Sequence, residues 1–153
     1  MTSALLLDCL PVETAGRRAS AEEWYLDASA LVKLVILDER SSELRRWMLD
    51  LESRGGRAFI SELARTEADR ALMRAAPEWG RLSGSVLDGF DRVEVAGPEC
   101  IVARVMPSAT LRTLDALHLA VVIGHAAPVA GIVTYDRWVV EAAGTIGVRA
   151  ISP

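Results

Sequence analysis

Lysine is nearly missing from this chain: of its seventeen basic residues, only Lys33 is not arginine. Cysteine is almost as scarce. Cys9 and Cys100 stand far apart and belong to no C-x-x-C or Cys/His cluster, which excludes the usual zinc sites and reads as two free thiols in a reducing compartment. Long apolar runs are missing too. The patch from Ala4 to Leu7 stops at Asp8, too short for a membrane span or a signal-peptide core, so a cytoplasmic protein with no membrane partner is expected. No internal repeat or low-complexity tract interrupts the sequence.

What is present is a globular composition. The 153 residues are 51% apolar and 25% charged, far from the signature of disorder, and this length suits one domain with its own core. The net charge of −4 argues against binding nucleic acid through a simple basic surface. Arginine, however, suits bidentate phosphate contacts, and bound divalent cations would neutralise acids that the charge count leaves negative.

Residues 1–21 lack sustained periodicity and hold Pro11, Gly16 and the pair Arg17 and Arg18. They read as an N-terminal extension, with disorder and a misassigned start both open, ahead of a domain over residues 22–153. From there the pattern alternates. Residues 24–27, 57–60, 92–95, 132–134 and 148–151 read as strands, and residues 29–37, 41–53, 61–76, 78–90, 98–106, 110–126 and 137–143 as helices. Ser41 or Ser42 is expected to cap the second helix and Gly55-Gly56 to stop it, while Gly80, Gly84 and Gly89 weaken the helix over 78–90. The predicted class is α/β, a mainly parallel central sheet of about four to five strands covered by helices on both faces.

Several acids stand where a core is expected. On the helix over 61–76, the apolar series Ile60, Leu63, Ala64, Ala68, Ala71, Leu72, Ala75 has Glu67 in an inward position. On the helix over 110–126, Asp115 and His118 fall in the series Leu111, Leu114, Leu119, Val122, Ile123. A buried carboxylate costs several kcal/mol unless a cation or hydrogen-bond donors compensate it. Asp27 and Asp136 end predicted strands, and in open α/β sheets the ligand crevice lies outside those carboxyl ends. Four carboxylates are therefore expected to converge. Such an all-oxygen donor set suits Mg²⁺ or Mn²⁺ and metal-assisted phosphoryl transfer, in which one or two ions position and activate a water.

Each candidate has a blander reading. Asp27 and Asp136 fit helix caps, and Asp115 fits a buried acid satisfied by Thr113 or a nearby arginine. Glu67 fits a partner of Arg65 or Arg70, although those arginines point to other helix faces. Glu62 sits in a first turn, where an acid favours the helix dipole. His118 reads as a packed, hydrogen-bonded core residue in preference to a ligand or general base. Arg112 and Arg137 lie near the expected site loops, in reach of phosphate, and Trp47 and Trp79 read as core or interface anchors. A phosphoacceptor receiver domain would need a lysine late in the chain, and a haloacid-dehalogenase-type phosphatase a second aspartate where Ser29 stands. Neither fits.

The segments YLDASALVKL (25–34), ISELARTEADRAL (60–72), TLDALHLAV (113–121) and TYDRW (134–138) resemble the PIN-domain nucleases, particularly the VapC-type toxins of bacterial toxin–antitoxin pairs. The resemblance spans residues 23–153 and implies a three-layer α/β/α fold. It matches Asp27, Glu67 and Asp115 to the family's metal-binding carboxylates and Asp136 to its fourth acid, with Ser29 and Thr134 as supporting hydroxyls. It further implies Mg²⁺- or Mn²⁺-dependent cleavage of RNA, a homodimer, and inhibition by a small cognate antitoxin. A housekeeping RNA-processing nuclease and a non-catalytic PIN-like binding module are the alternatives. The latter would be marked by loss of acids, and all four are present.

Overall fold

The computed structural model describes residues 21–38, 40–107 and 111–153. The extension, apart from Ala21, lies outside them. In chain order the elements are β1 (Glu23–Leu26), α1 (Ala28–Val35), α2 (Ser41–Ser53), β2 (Arg57–Ser61), α3 (Glu62–Ala75), a 3-10 turn (Pro77–Trp79), α4 (Gly80–Leu87), β3 (Asp91–Val93), α5 (Gly97–Arg104), α6 (Thr113–Gly124), β4 (Val129–Val133), α7 (Arg137–Thr145) and β5 (Ala150–Ile151). The strands form one parallel sheet in the order β3-β2-β1-β4-β5. This is the α/β/α architecture expected from the alternation.

Parallel strands need crossovers, and crossovers in such sheets are right-handed. The chain steps from β1 through β2 to β3 in one direction, then returns to the other flank of β1 as β4 and β5. Reversal of direction puts the two sets of helices on opposite faces. Accordingly α1 packs on α2, α3 and α4, whereas α6 packs on α5 and α7. The central strand β1 is buried along its whole length, with Trp24, Tyr25 and Leu26 in the core, whereas the edge strand β3 is largely exposed. Trp47 reaches the core edge-to-face against Trp24, at 5.5 Å between ring centroids, as its anchor reading requires.

Local chemistry sets the boundaries, and several differ from expectation. Gly55 ends α2 at φ +77°, a left-handed conformation that suits glycine, as the Gly-Gly stop predicts. The start of α2 is capped otherwise: Asp38 Oδ1 accepts from the backbone N–H groups of Arg40 and Ser41, and Ser41 is already the first helical residue. The single helix over 78–90 is corrected to a 3-10 turn followed by α4, because Pro77 opens a new turn and α4 stops at Leu87. Ser61 closes β2 and caps α3 by accepting from Ala64 N at 3.0 Å. Strand β4 begins earlier than expected, at Val129. It pairs with β1 through an irregularity after Glu23, and Gly131 is needed there because a Cβ would collide with the Arg149 carbonyl oxygen and stand 2.8 Å from the Trp24 ring. The predicted start of α6 at Thr110 falls outside the described residues; the helix is seen from Thr113. No helix among the described residues is long and apolar enough to cross a membrane.

Candidate active site

The strand order reverses between β1 and β4, and the crevice at a reversal of this kind opens beyond the carboxyl ends of the two strands. Asp27 follows β1 directly; Thr134 and Asp136 follow β4. Two helices complete the rim, α3 with Glu67 and α6 with Asp115 in its first turn. Asp27, Glu67, Asp115 and Asp136 together line one pocket of about 380 Å³, with Ser29, Arg112 and His118. A larger groove of about 640 Å³, bordered by α2, β2 and α4, has Glu52 as its only lining acid and offers no comparable chemistry.

The hydrogen bonds explain how the site is built. Asp27 Oδ1 accepts from Ala30 N at 3.1 Å, the helix-cap role, and from Ser29 Oγ at 2.6 Å. Its Oδ2 accepts from Thr134 Oγ1 at 2.5 Å. Ser29 Oγ also accepts from Tyr135 N, and Thr134 Oγ1 from Asp136 N, so the two hydroxyls tie the end of β1 to the turn after β4. Asp27 is 3% exposed, and burial pushes its carboxyl above the ordinary carboxylate range. The hydrogen bonds from Ser29, Thr134 and the Ala30 N–H pull it back only in part.

The other three acids are held differently. Asp115 is buried and Asp136 caps α7 by accepting from Trp138 N at 2.9 Å. Arg112 bridges them: its Nε donates to Asp115 Oδ2 at 2.8 Å and an Nη to Asp136 Oδ2 at 2.6 Å. Asp115 holds the guanidinium pKa above its ordinary value. The nearby arginine foreseen for Asp115 is thus Arg112, a pairing with Asp136 across the fold that sequence spacing does not reveal. Glu67 stands at the edge of its helical stripe, half-buried, and its Oε2 meets His118 Nε2 at 2.6 Å. Neither Arg65 nor Arg70 is its partner here; Arg65 pairs with Asp69 and Asp88.

Several expectations shift. The inward face of α6 comprises Asp115, Ala116, His118, Leu119, Ala120, Val121 and Val122, whereas Leu114 and Ile123 are exposed. His118 is buried and hydrogen-bonded, as its core reading states, and also borders the pocket. Arg137 lies over the Trp138 ring at 4.7 Å from its centroid and is not among the lining residues. Tyr25 and Ser61 went unnoticed in the sequence. The signal available was strand period, which puts Tyr25 on the same side of the chain as Asp27, the extended residue just past β1.

Among the described residues, no three His, Cys, Asp or Glu groups already stand together closely enough to hold a metal ion. Arg112 occupies Asp115 and Asp136, and His118 holds Glu67. The donor chemistry nevertheless fits a hard divalent cation: carboxylate oxygens from four elements face one pocket, and one of them is a buried carboxylate whose desolvation its hydrogen bonds do not cancel.

Comparison with known proteins agrees with the fold. The PIN domain family matches residues 24–144. Ribonuclease VapC35 of Mycobacterium tuberculosis is 36% identical over 131 residues, covering 84% of this chain and 96% of that protein. Ribonuclease VapC47 of the same species is 34% identical over 130 residues, with the same coverage. Among solved structures, PAE2754 from Pyrobaculum aerophilum superposes with a TM-score of 0.58 at 26% identity over 83% of each chain. VapC20 of M. tuberculosis, described as a sarcin-ricin loop cleaving toxin, superposes with a TM-score of 0.65 over 85% of this chain and 99% of its own, and at 15% identity it speaks to the fold alone. Matched over most of its length by the family, and to relatives above 30% identity along nearly their whole length, the chain belongs to the PIN-domain family.

Proposed function

We propose that this protein is a divalent-metal-dependent endoribonuclease that acts as the toxin of a toxin–antitoxin pair. The observation that carries the reading is the convergence of Asp27, Glu67, Asp115 and Asp136 on one pocket at the point where the strand order reverses. The names of its relatives as ribonucleases support RNA as the substrate. In this reading Asp27, Glu67, Asp115 and Asp136 hold Mg²⁺ or Mn²⁺. When bound, the ion supplies the positive charge that acidifies water and stabilises the leaving oxygen of the phosphodiester.

The chain's own residues do the rest. Ser29 and Thr134 fix both oxygens of Asp27, so the carboxylate cannot swing away as charge builds beside it. Arg112, 62% exposed at the pocket mouth, neutralises Asp115 and Asp136 until a cation replaces it, and is then free to meet phosphate. The exposed apolar side chains Leu49, Ile101 and Val105 leave surface for the cognate antitoxin and for a second copy in a homodimer, in a protein working in the cytoplasm.

The test is RNA cleavage with mapped ends, with and without Mg²⁺. Asp27→Asn, Glu67→Gln and Asp115→Asn are each expected to abolish cleavage while the fold persists. Full activity in Asp115→Asn, or cleavage that survives EDTA, would refute the assignment.

A further inference from the structure

We propose that His118 and Tyr25 are positioning residues: a buried hydrogen-bond relay, anchored on Ser61, holds the Glu67 carboxylate in the pocket. The inference rests on the reading of Glu67 as a cation ligand. The relay is continuous. Ser61 Oγ lies 2.8 Å from the Tyr25 hydroxyl, that hydroxyl lies 2.7 Å from His118 Nδ1, and His118 Nε2 lies 2.6 Å from Glu67 Oε2. Ser61 and Tyr25 are fully buried and His118 is 3% exposed, so water does not compete for the two inner bonds, whereas the Glu67 end opens on the pocket.

Donor and acceptor roles follow from what each group offers. An ionised carboxylate only accepts, so Nε2–H of His118 donates to Glu67. With the proton on Nε2, the Nδ1 of a neutral imidazole only accepts, and the Tyr25 hydroxyl must donate to it. The phenolic oxygen then accepts from the Ser61 hydroxyl, whose oxygen in turn accepts from Ala64 N as the cap of α3. Every buried polar group in the series is satisfied in this single direction.

The relay also links three elements. It leaves α3 at its cap, crosses β1 through Tyr25 and α6 through His118, and returns to α3 at Glu67. A glutamate on a helix edge has several free torsions, and holding this one toward the pocket lowers the ordering that cation binding still has to supply. Tyr25 and Asp27, the extended residue just past β1, are two apart, so the same side of the chain contributes Asp27 to the pocket directly and Glu67 through the relay.

The experiment measures Mn²⁺ affinity by calorimetry on the full chain, without RNA, for wild type, Tyr25→Phe, His118→Ala, His118→Gln and Glu67→Gln. It also reads the His118 tautomer by ¹⁵N NMR in cation-free wild type. The expected results are an Nε2–H tautomer and a loss of Mn²⁺ affinity of about 10-fold in Tyr25→Phe, within the range for residues that orient metal ligands. His118→Gln, which keeps a donor toward Glu67, is expected to retain more affinity than His118→Ala. If Glu67→Gln weakens binding while Tyr25→Phe and His118→Ala bind like wild type, the relay is merely structural and the proposal is overturned. If Glu67→Gln itself binds like wild type, the reading of Glu67 as a ligand has failed, and the proposal falls with it. An Nδ1–H tautomer in wild type overturns the relay whether or not any variant folds.

Discussion

Replacing Asp27 by asparagine separates what this carboxylate costs the fold from what it gives the site. The side chain is 3% exposed, and burial is the main cause of its raised pKa. Because the folded-state value lies above the ordinary 3.8, the native protein holds this proton more tightly than the unfolded chain does. Stability therefore falls as pH rises from 3.8 through the raised value, and above it the whole penalty is felt. Asp27→Asn removes the penalty, keeps an oxygen to accept from Ser29 and Ala30, and loses the acceptor facing Thr134, a bond worth roughly 1 kcal/mol. At pH 7 the relieved desolvation is expected to outweigh the lost bond, so Asp27→Asn melts above wild type in EDTA, each 1 kcal/mol of net gain being worth roughly 2–4 °C in Tm for a chain of this size. Below pH 3.8 the gain disappears and only the lost bond remains. Excess Mg²⁺ inverts the ranking, since a ligand at 100 times its Kd adds about 2.7 kcal/mol to the wild type and little to the variant. Calorimetric melts at pH 7, in EDTA and then in Mg²⁺, check both halves. A lower Tm for Asp27→Asn in EDTA, or an equal rise in both proteins with Mg²⁺, would refute the reasoning.

Other perturbations probe separate parts of the structure. Arg112→Ala frees two carboxylates at the pocket mouth, so Mn²⁺ should bind severalfold more tightly by calorimetry; unchanged or weaker binding rejects competition between Arg112 and the cation. Gly131→Ala puts a Cβ against the Arg149 carbonyl and the Trp24 ring, and urea unfolding should show a loss of about 1–3 kcal/mol. A midpoint equal to that of wild type would show that the β4–β5 contact yields easily.

The sequence carried the alternation of elements and the acids well, because both are local. A buried strand ending in Asp27 and a long apolar helix holding Asp115 are each visible within a dozen residues. Boundaries were less legible where the deciding contact is distant. The early start of β4 depends on its irregular pairing with β1 and on the fit of Gly131 beneath Trp24, neither of which leaves a periodic trace around Val129. The edge strands β3 and β5 are shorter than their patterns, since an edge has neighbours on one side only.

What surrounds the acids was the least legible part. Arg112 and Asp136 are 24 residues apart, His118 and Glu67 are 51 apart, and Tyr25 and His118 are 93 apart. No helical or strand period relates such pairs; the packing of α6 against β4 and α7, and the side chains it turns toward β1 and α3, bring them together. Yet the anomaly that exposed the acids extends to their partners. A tyrosine at the centre of the sheet and a histidine on the inner face of α6 need hydrogen bonds as surely as a buried carboxylate needs a counter-charge, and the two polar groups on facing elements satisfy each other. Buried polar residues on neighbouring elements are therefore best considered as one set, and here that set leads from Ser61, through Tyr25 and His118, to Glu67.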